Sequence, residues 1–144
     1  MRILAKALIL ASVAAGVATL GAAGTAHAST VKCDEKPMDA VPGIQVVTCA
    51  EADGDLRRTQ SIVMNNSDQT VELRSLRSLI SFPEYALTDC GASQLGPGAQ
   101  AVCLTEWVST SRAAHNGVAS FSLVYAVDAQ GRGGIGTFNI HTTF

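Results

Sequence analysis

The sequence predicts an all-β domain, a sandwich of about seven antiparallel strands held by two disulfides. Three observations predict it. Short apolar runs recur at regular intervals and each ends in a turn signal, the clearest run alternates with a period of two, and four cysteines follow an export signal. No stretch of helical periodicity competes with these runs. The chain therefore has the pattern of a small exported β domain.

The first 28 residues have the three parts of a secretory signal. Arg2 and Lys6 supply the basic start, Ala7 to Leu20 the apolar run, and Ala26-His27-Ala28 the small-residue cleavage site. A membrane anchor is the alternative, but glycines interrupt the run, and a span needs about 20 strongly apolar residues. We expect residues 1–28 to be removed, leaving a product that is secreted or associated with the cell surface and has no membrane span.

Size and charge restrict the partners of the mature chain. Removing residues 1–28 from the 144 leaves 116, and takes away two of the ten lysines and arginines but none of the twelve acidic residues. The mature net charge is therefore about −4, without a basic cluster, which argues against nucleic acid as a partner. A chain of this length forms one core. We expect an extended N-terminal arm over residues 29–43, which contains two prolines, and the sandwich over residues 44–144.

All four cysteines, Cys33, Cys49, Cys90 and Cys103, lie after the signal. An even number in an exported chain indicates disulfides, and four cysteines allow three connectivities. We favour Cys33 with Cys49 and Cys90 with Cys103, since each pair closes a short segment and the second brackets the turn Leu95-Gly96-Pro97-Gly98. Each such loop is expected to contribute on the order of 3 kcal/mol. A zinc site needs closely spaced cysteine pairs, which this sequence lacks, and we expect no cofactor.

The strands are predicted from alternation and turn signals. In order they are Ile44 to Cys49, Thr59 to Asn65, Thr70 to Leu76, Leu79 to Phe82 continuing toward Cys90, Ala99 to Val108, Val118 to Asp128, and Ile135 to Thr143. Asn65-Asn66-Ser67 starts a turn and is also a glycosylation sequon, which fits a surface loop.

The run Val118 to Asp128 has the clearest alternation. Its apolar side chains share one face and its serines the other, namely Phe121, Leu123, Tyr125 and Val127 against Ser120 and Ser122. Such a pattern is typical of a strand with one dry and one wet face. We therefore expect the aromatic side in the core and the serine side in solvent.

Several residues in the second half of the chain fit a known domain pattern: Cys90, Leu95-Gly96-Pro97-Gly98, Cys103, Trp107, Thr110 and Gly117. Together, over about residues 87–137, they resemble the immunoglobulin-like repeat domains common in bacterial secreted and surface proteins. The stretch is slightly under half of the mature chain, and Phe121 stands where the family often has an asparagine. The resemblance implies an immunoglobulin-like sandwich in which the two cysteines flank the turn.

The sequence contains no catalytic or cofactor signature, so we expect function to lie in loops, which vary at little cost in stability. The candidate binding residues belong to the loops 92–98 and 109–117, and are Ser93, Gln94, Leu95, Arg112 and His115. We expect a secreted, non-catalytic module that binds an extracellular protein or a cell-envelope component. An inhibitor of secreted proteases, which would insert a rigid loop into an active site, is the alternative. A small hydrolase that uses His115 or His141 is a third hypothesis.

Three further features have ordinary structural explanations. Gly131 to Gly136 matches the phosphate-binding pattern G-x-G-x-x-G, but no acidic residue lies about 20 positions further on, so we predict a hairpin turn. Glu51, Asp53 and Asp55 offer three carboxylates, yet their surroundings fail the EF-hand pattern. We expect an acidic turn there, with calcium binding as the alternative. Trp107 is expected in the core, although a surface tryptophan can stack on a sugar or anchor a partner.

Overall fold

The structure is a computed structural model that describes residues 29–110 and 117–144. The predicted signal, residues 1–28, and two candidate binding residues, Arg112 and His115, lie outside these ranges. Every regular element in the described ranges is a strand, which confirms the all-β prediction. The ten strands are β1 (Thr30–Pro37), β2 (Ile44–Asp53), β3 (Leu56–Asn65), β4 (Val71–Phe82), β5 (Ala86–Asp89), β6 (Ser93–Leu95), β7 (Gln100–Leu104), β8 (Val108–Ser109), β9 (Gly117–Val127) and β10 (Gly133–Thr143).

The strands form two antiparallel sheets with the core between them. Sheet 1 has the order β1-β2-β3-β7, and β8 also pairs with β3. Sheet 2 has the order β10-β9-β4-β5, and β6 also pairs with β4. Inward side chains of both sheets meet in common clusters, so each sheet buries one face against the other.

The observed strands differ from the predicted seven in their division as well as in their number. The predicted run Ala99 to Val108 divides into β7 and β8, which pair with different parts of β3. The two runs predicted between Thr70 and Phe82 instead form the single strand β4, whose register against β9 shifts twice. Short strands such as β6, with three residues, give too little alternation to be recognised.

Residues 29–43, predicted as an extended arm, contribute the edge strand β1. It pairs with β2 along its whole length, from Thr30 opposite Ala52 to Pro37 opposite Gln45. The polar and proline-containing sequence that suggested an arm also suits a sheet edge, where charge and proline are tolerated. The sandwich therefore begins at Thr30 and not at Ile44.

Both disulfides have the predicted pairing. Cys33 and Cys49 are register partners on β1 and β2, with their sulfurs bonded at 2.06 Å. Cys90, just after β5, is bonded to Cys103 on β7 at 2.13 Å. Two disulfides indicate that the chain folds in an oxidising, extracellular type of environment. The described part of the chain contains no helix with the length and hydropathy that a bilayer span requires.

The interior has two apolar clusters separated by a layer of hydroxyl groups. The larger cluster includes Val46, Val63, Leu76 and Val124, one from each of the four central strands. The smaller includes Ala50, Ile80, Val108 and Val118. Between them, the inward residues of β2, β3, β4 and β9 are fully or almost fully buried hydroxyls: Thr48, Thr59, Ser61, Ser78, Ser120 and Ser122. We call this set the hydroxyl layer.

The predicted orientation of β9 is wrong. Its buried positions are the even-numbered ones, which include Ser120 and Ser122, and its odd-numbered positions are only partly buried. The alternation was recognised correctly, but the serines face the core. The physical reason is that each inward hydroxyl finds a hydrogen-bond partner on a facing strand, which removes most of the cost of burying it.

Candidate binding surface

The hydroxyl layer is connected by hydrogen bonds that cross between the sheets. Ser122 Oγ donates to Ser61 Oγ at 2.6 Å, and it lies 2.7 Å from Thr48 Oγ1. Ser61 Oγ donates in turn to Ser78 Oγ at 3.0 Å, which donates to the carbonyl oxygen of Thr59 at 3.2 Å. Such a chain fixes each hydroxyl in one orientation and therefore fixes which side of β9 points inward.

With its serines inward, β9 turns its large side chains away from the core. The other strands of sheet 2, β4, β5 and β10, also direct apolar side chains away from the core, at positions that pair with one another or with β9. Leu79 on β4 is the register partner of both Phe121 on β9 and Leu87 on β5, and Tyr125 on β9 is the partner of Ile135 on β10. We call the resulting surface the sheet-2 outer face, with the apolar residues Leu79, Phe82, Leu87, Phe121, Leu123, Tyr125, Val127 and Ile135.

Several members of this face are well exposed. Ile135 is 76% exposed and Leu87 45%. Leu123, Tyr125 and Ile135 line a shared surface hollow with Ser75 and Arg77. Single exposed apolar residues are common on soluble proteins, but a row that crosses four strands of one sheet is typical of an interaction surface.

The charged side chains on this surface are paired with one another. Arg77 Nε lies 2.9 Å from Asp89 Oδ2, and Arg74 Nε lies 3.2 Å from Glu72 Oε1. Arg74 also donates to the Tyr125 hydroxyl at 3.1 Å, and its guanidinium lies over that ring. The backbone amide of Gly91, followed by Arg77, lowers the pKa of the Asp89 carboxyl. These pairs leave the sheet-2 outer face close to neutral.

An open depression of about 690 Å³ lies at one end of the sheet-2 outer face. It is lined by the small residues Gly117 and Ala119 of β9 and by larger side chains, among them Phe82 and His141. The His141 ring packs edge-on against Phe121, with centroids 5.7 Å apart. His141 is exposed on the outer side of the last strand, as predicted.

The segment 92–98, predicted as a binding loop held by the Cys90–Cys103 disulfide, includes a short paired strand. Ser93, Gln94 and Leu95 form β6, in which Leu95 is the register partner of Val71 on β4. Ser93 and Gln94 are exposed, but Leu95 is only 3% exposed and belongs to the larger apolar cluster. Leu95 is therefore a core residue and not a contact residue, because antiparallel pairing directs its side chain inward.

The sequon asparagine is buried, which corrects the expectation of a surface site. Asn65 has no exposed area. Its side-chain nitrogen donates to the carbonyl oxygens of Gln69 at 2.7 Å and Leu95 at 2.8 Å, and its side-chain oxygen accepts from the Ser67 amide at 3.0 Å. Asn65 thus joins the β3–β4 turn to the turn that follows β6.

The three acidic residues predicted to form a turn do not all lie in one, since Glu51 and Asp53 belong to β2. Glu51 forms an ion pair with a residue of β3. Glu51 Oε2 accepts from Arg58 Nε at 2.6 Å, and the Arg58 guanidinium lies 4.3 Å from the centroid of the Trp107 ring. Trp107 is half-buried and lies outside any strand. Within residues 29–110 and 117–144, no three histidine, cysteine or acidic side chains are grouped as a metal site.

The glycine-rich segment is the predicted hairpin turn. Gly131 has φ of +79° in the turn between β9 and β10, a backbone conformation that glycine adopts without strain. Asp128 Oδ1 accepts from the Gln130 amide at 3.0 Å and the Arg132 amide at 2.9 Å, and Asp128 Oδ2 accepts from Arg132 Nε at 2.7 Å. Burial acts to raise the pKa of Asp128, but these hydrogen bonds outweigh it and the pKa is lowered.

Comparison with known proteins gives no family. No protein-family model matches the chain, and no curated protein matches it. A Northeast Structural Genomics Consortium target, SoR45, is 11% identical with a TM-score of 0.42, and the match covers 81% of this chain and 86% of that one. The putative ApaA protein from Bordetella pertussis is 10% identical with a TM-score of 0.44, over 81% and 92% of the two chains. Neither name specifies a ligand, and similarity at this level carries no functional inference.

Proposed function

We propose that the mature domain is a secreted, non-catalytic binding module whose sheet-2 outer face contacts an extracellular protein or a cell-envelope component. The observation that carries this proposal is the orientation of β9. Ser120 and Ser122 occupy the core, while Phe121, Leu123 and Tyr125 lie on the outward side of the same strand.

The orientation matters because burial alone favours the opposite arrangement. Moving apolar surface out of water stabilises a fold by roughly 25 cal/mol per Å², whereas hydrogen-bonded hydroxyls in a core contribute little net stability. A sandwich under selection for stability alone would therefore bury Phe121 and Leu123 and expose the serines. Keeping these apolar side chains outside is best explained by a partner that covers them.

The paired charges of the sheet-2 outer face favour a partner whose contacting surface is also apolar and close to neutral. Its ionised side chains are satisfied within the domain, as in the Arg77–Asp89 and Arg74–Glu72 pairs. A partner with a high net charge would gain little from such a surface. An apolar protein surface with a polar rim fits it better, since interface centres are depleted of unpaired charge.

The two alternative functions have less support. An inhibitor needs a protruding rigid loop, whereas the segment 92–98 includes a paired strand with Leu95 in the core. A hydrolase built on His141 needs a nucleophile and an orienting carboxylate nearby, whereas the contact found for this ring is with Phe121.

The strand order supports the proposal that the domain is an immunoglobulin-like sandwich. Such domains place strands A, B, E and D in one sheet and C, F and G in the other. If β2, β3 and β7 correspond to A, B and E, and β4, β9 and β10 to C, F and G, the order of these six strands agrees. β5 pairs with β4 in sheet 2, and no strand of the described residues takes the place of D beside β7. β1 then precedes strand A as an addition. The signal-like residues 1–28 and the two disulfides support secretion.

The experiment is a pull-down from culture supernatant and cell-envelope fractions with the oxidised domain, residues 29–144. The test variant replaces Phe82 and Leu87, which are 40% and 45% exposed on the sheet-2 outer face, with serine. The matched control replaces Leu104 and Val102, which are 38% and 43% exposed on sheet 1, with serine. We expect one species to be captured saturably by the wild type and the control and lost with the test variant. Equal capture by both variants would refute the proposed surface.

A further inference from the structure

The outermost strands of the two sheets differ in chemistry. β1 carries Lys32, Asp34, Glu35 and Lys36 and ends at Pro37, which are the residue types that discourage pairing at a sheet edge. β10 is longer, with eleven residues, and its sequence GGIGTFNIHTT contains no aspartate, glutamate, lysine, arginine or proline. Its register against β9 is uninterrupted, so no bulge turns its free edge aside. β10 therefore lacks the charges, proline and bulge that protect a sheet edge, and the nearby residues 37–40 line an open hollow with Ile135 to Phe138 and do not pair with them as a strand.

The pairing of β10 with β9 shows which backbone groups remain on its free edge. The turn is closed by a hydrogen bond from the Asp128 amide to the Arg132 carbonyl, so this even-numbered pair is hydrogen-bonded. Hydrogen-bonded and non-hydrogen-bonded pairs alternate along an antiparallel ladder. The odd-numbered residues of β10 consequently direct their N–H and C=O groups away from β9. At one end, the Thr143 carbonyl accepts from Lys32 Nζ at 2.6 Å, which agrees with this assignment.

We propose that the free edge of β10 pairs antiparallel with β10 of a second copy of this chain, forming a two-fold symmetric dimer with one continuous sheet. The free N–H and C=O groups of Ile135, Thr137, Asn139 and His141 supply the hydrogen bonds. The occupant is a second copy because the strand has no ionised aspartate, glutamate, lysine or arginine to repel itself, and because antiparallel pairing about a two-fold axis makes the same edge its own complement.

This pairing has a consequence for the sheet-2 outer face. Antiparallel pairing of odd with odd residues keeps Ile135, Thr137 and Asn139 of both copies on the same side of the extended sheet. The two outer faces then lie side by side and form one surface of twice the width. The inference goes beyond the proposed function and does not depend on it, since the edge pairs whether or not the face has a partner.

The test uses a substitution that acts on the edge alone. Asn139→Pro removes an N–H that points away from β9, so the pairing within the domain is retained, as for prolines on natural edge strands. Asn139→Ala is the matched control, because it shortens the same side chain and keeps the N–H. Sedimentation equilibrium of the oxidised domain is expected to give a dimer for the wild type and for Asn139→Ala, and at least a tenfold weaker association for Asn139→Pro.

A second pair of variants guards against misfolding of the proline variant. Thr137→Lys and Thr137→Glu each place one charge on the edge, and antiparallel self-pairing brings like charges together. Each variant alone is expected to associate several-fold more weakly than the wild type, and an equal mixture is expected to associate more strongly than either variant alone. The proposal is overturned if the wild type is monomeric at about 100 μM, a concentration at which even a weak dimer would be populated. The proposal is also overturned if the wild type forms open-ended assemblies. It is overturned as well if each charged variant alone associates as strongly as the mixture does.

Discussion

Ser122 on β9 donates a hydrogen bond to Ser61 on β3, with 2.6 Å between their hydroxyl oxygens, in the middle of the space between the two sheets. Both side chains are fully buried. Because side chains alternate along a strand, an inward Ser122 requires an outward Phe121 and Leu123. The buried hydroxyls and the outward apolar side chains of β9 therefore both follow from which side of this strand faces the core.

Removing one hydroxyl of this pair is expected to destabilise the domain. Ser122→Ala leaves Ser61 and Thr48 without one hydrogen-bond partner each, and we expect the free energy of unfolding to fall by about 1–3 kcal/mol. The double variant Ser61→Ala/Ser122→Ala is expected to cost less than the sum of the single variants, since both partners are then absent. Urea denaturation measures all three.

Ser81→Ala serves as the control for these variants. Ser81 is an exposed serine on β4, and its replacement is expected to change the free energy of unfolding by less than about 0.5 kcal/mol. Strict additivity of the two serine substitutions would show that their hydroxyls do not interact in solution.

Asn65 is expected to be among the polar residues most sensitive to substitution. Asn65→Asp keeps the acceptor for the Ser67 amide but replaces the nitrogen that donates to the Gln69 and Leu95 carbonyls with a buried, repelled oxygen. We expect it to lower the free energy of unfolding by at least about 2 kcal/mol. The exposed neighbour Asn66 provides the control, and Asn66→Asp should be close to neutral in the same denaturation experiment. Equal effects at the two positions would contradict the buried role of Asn65.

The β9–β10 turn is expected to lose stability in acid. The pKa of Asp128 is lowered from its ordinary value of 3.8 by hydrogen bonds that outweigh its partial burial. A lowered pKa means that the folded state favours the ionised carboxylate, so this contribution is complete above pH 3.8 and is lost as the pH falls through the lowered pKa. In Asp128→Asn the group no longer titrates. The melting temperatures of wild type and variant should therefore converge as the pH decreases, and a constant difference between about pH 5 and pH 2 would contradict the prediction.

Much of the fold could be predicted because it depends on local patterns. Period-two alternation located β2, β3, β9 and β10 to within a few residues, and short sequence separations indicated both disulfides. β1 was missed as a strand because an edge strand tolerates the charges and prolines that otherwise indicate an irregular segment. β6 was missed because three residues contain little periodic information.

The candidate surface could not be predicted from the same patterns. The alternation in β9 shows that the strand has two different faces, but it does not show which face lies in the core. Hydrophobicity predicts that the face with Phe121 and Leu123 does. The deciding fact is that Ser120 bonds to the hydroxyl of Thr59, and Ser122 to those of Thr48 and Ser61, which lie 61 to 74 positions away in the sequence. The inward run of β2 has Thr48 between Val46 and Ala50, and that of β3 has Thr59 and Ser61 next to Val63. This coincidence of hydroxyls on several strands is the signal that was available.

The orientation of β9 can be tested with serine substitutions at two adjacent positions on this strand, Leu123 and Val124. Leu123 lies on the sheet-2 outer face, and Val124 is 1% exposed in the larger apolar cluster. We expect Val124→Ser to lower the free energy of unfolding by at least about 2 kcal/mol more than Leu123→Ser does, because it places an uncompensated hydroxyl and a void in the core. A larger loss from Leu123→Ser would instead place the aromatic side of β9 in the core and would refute the proposed binding surface.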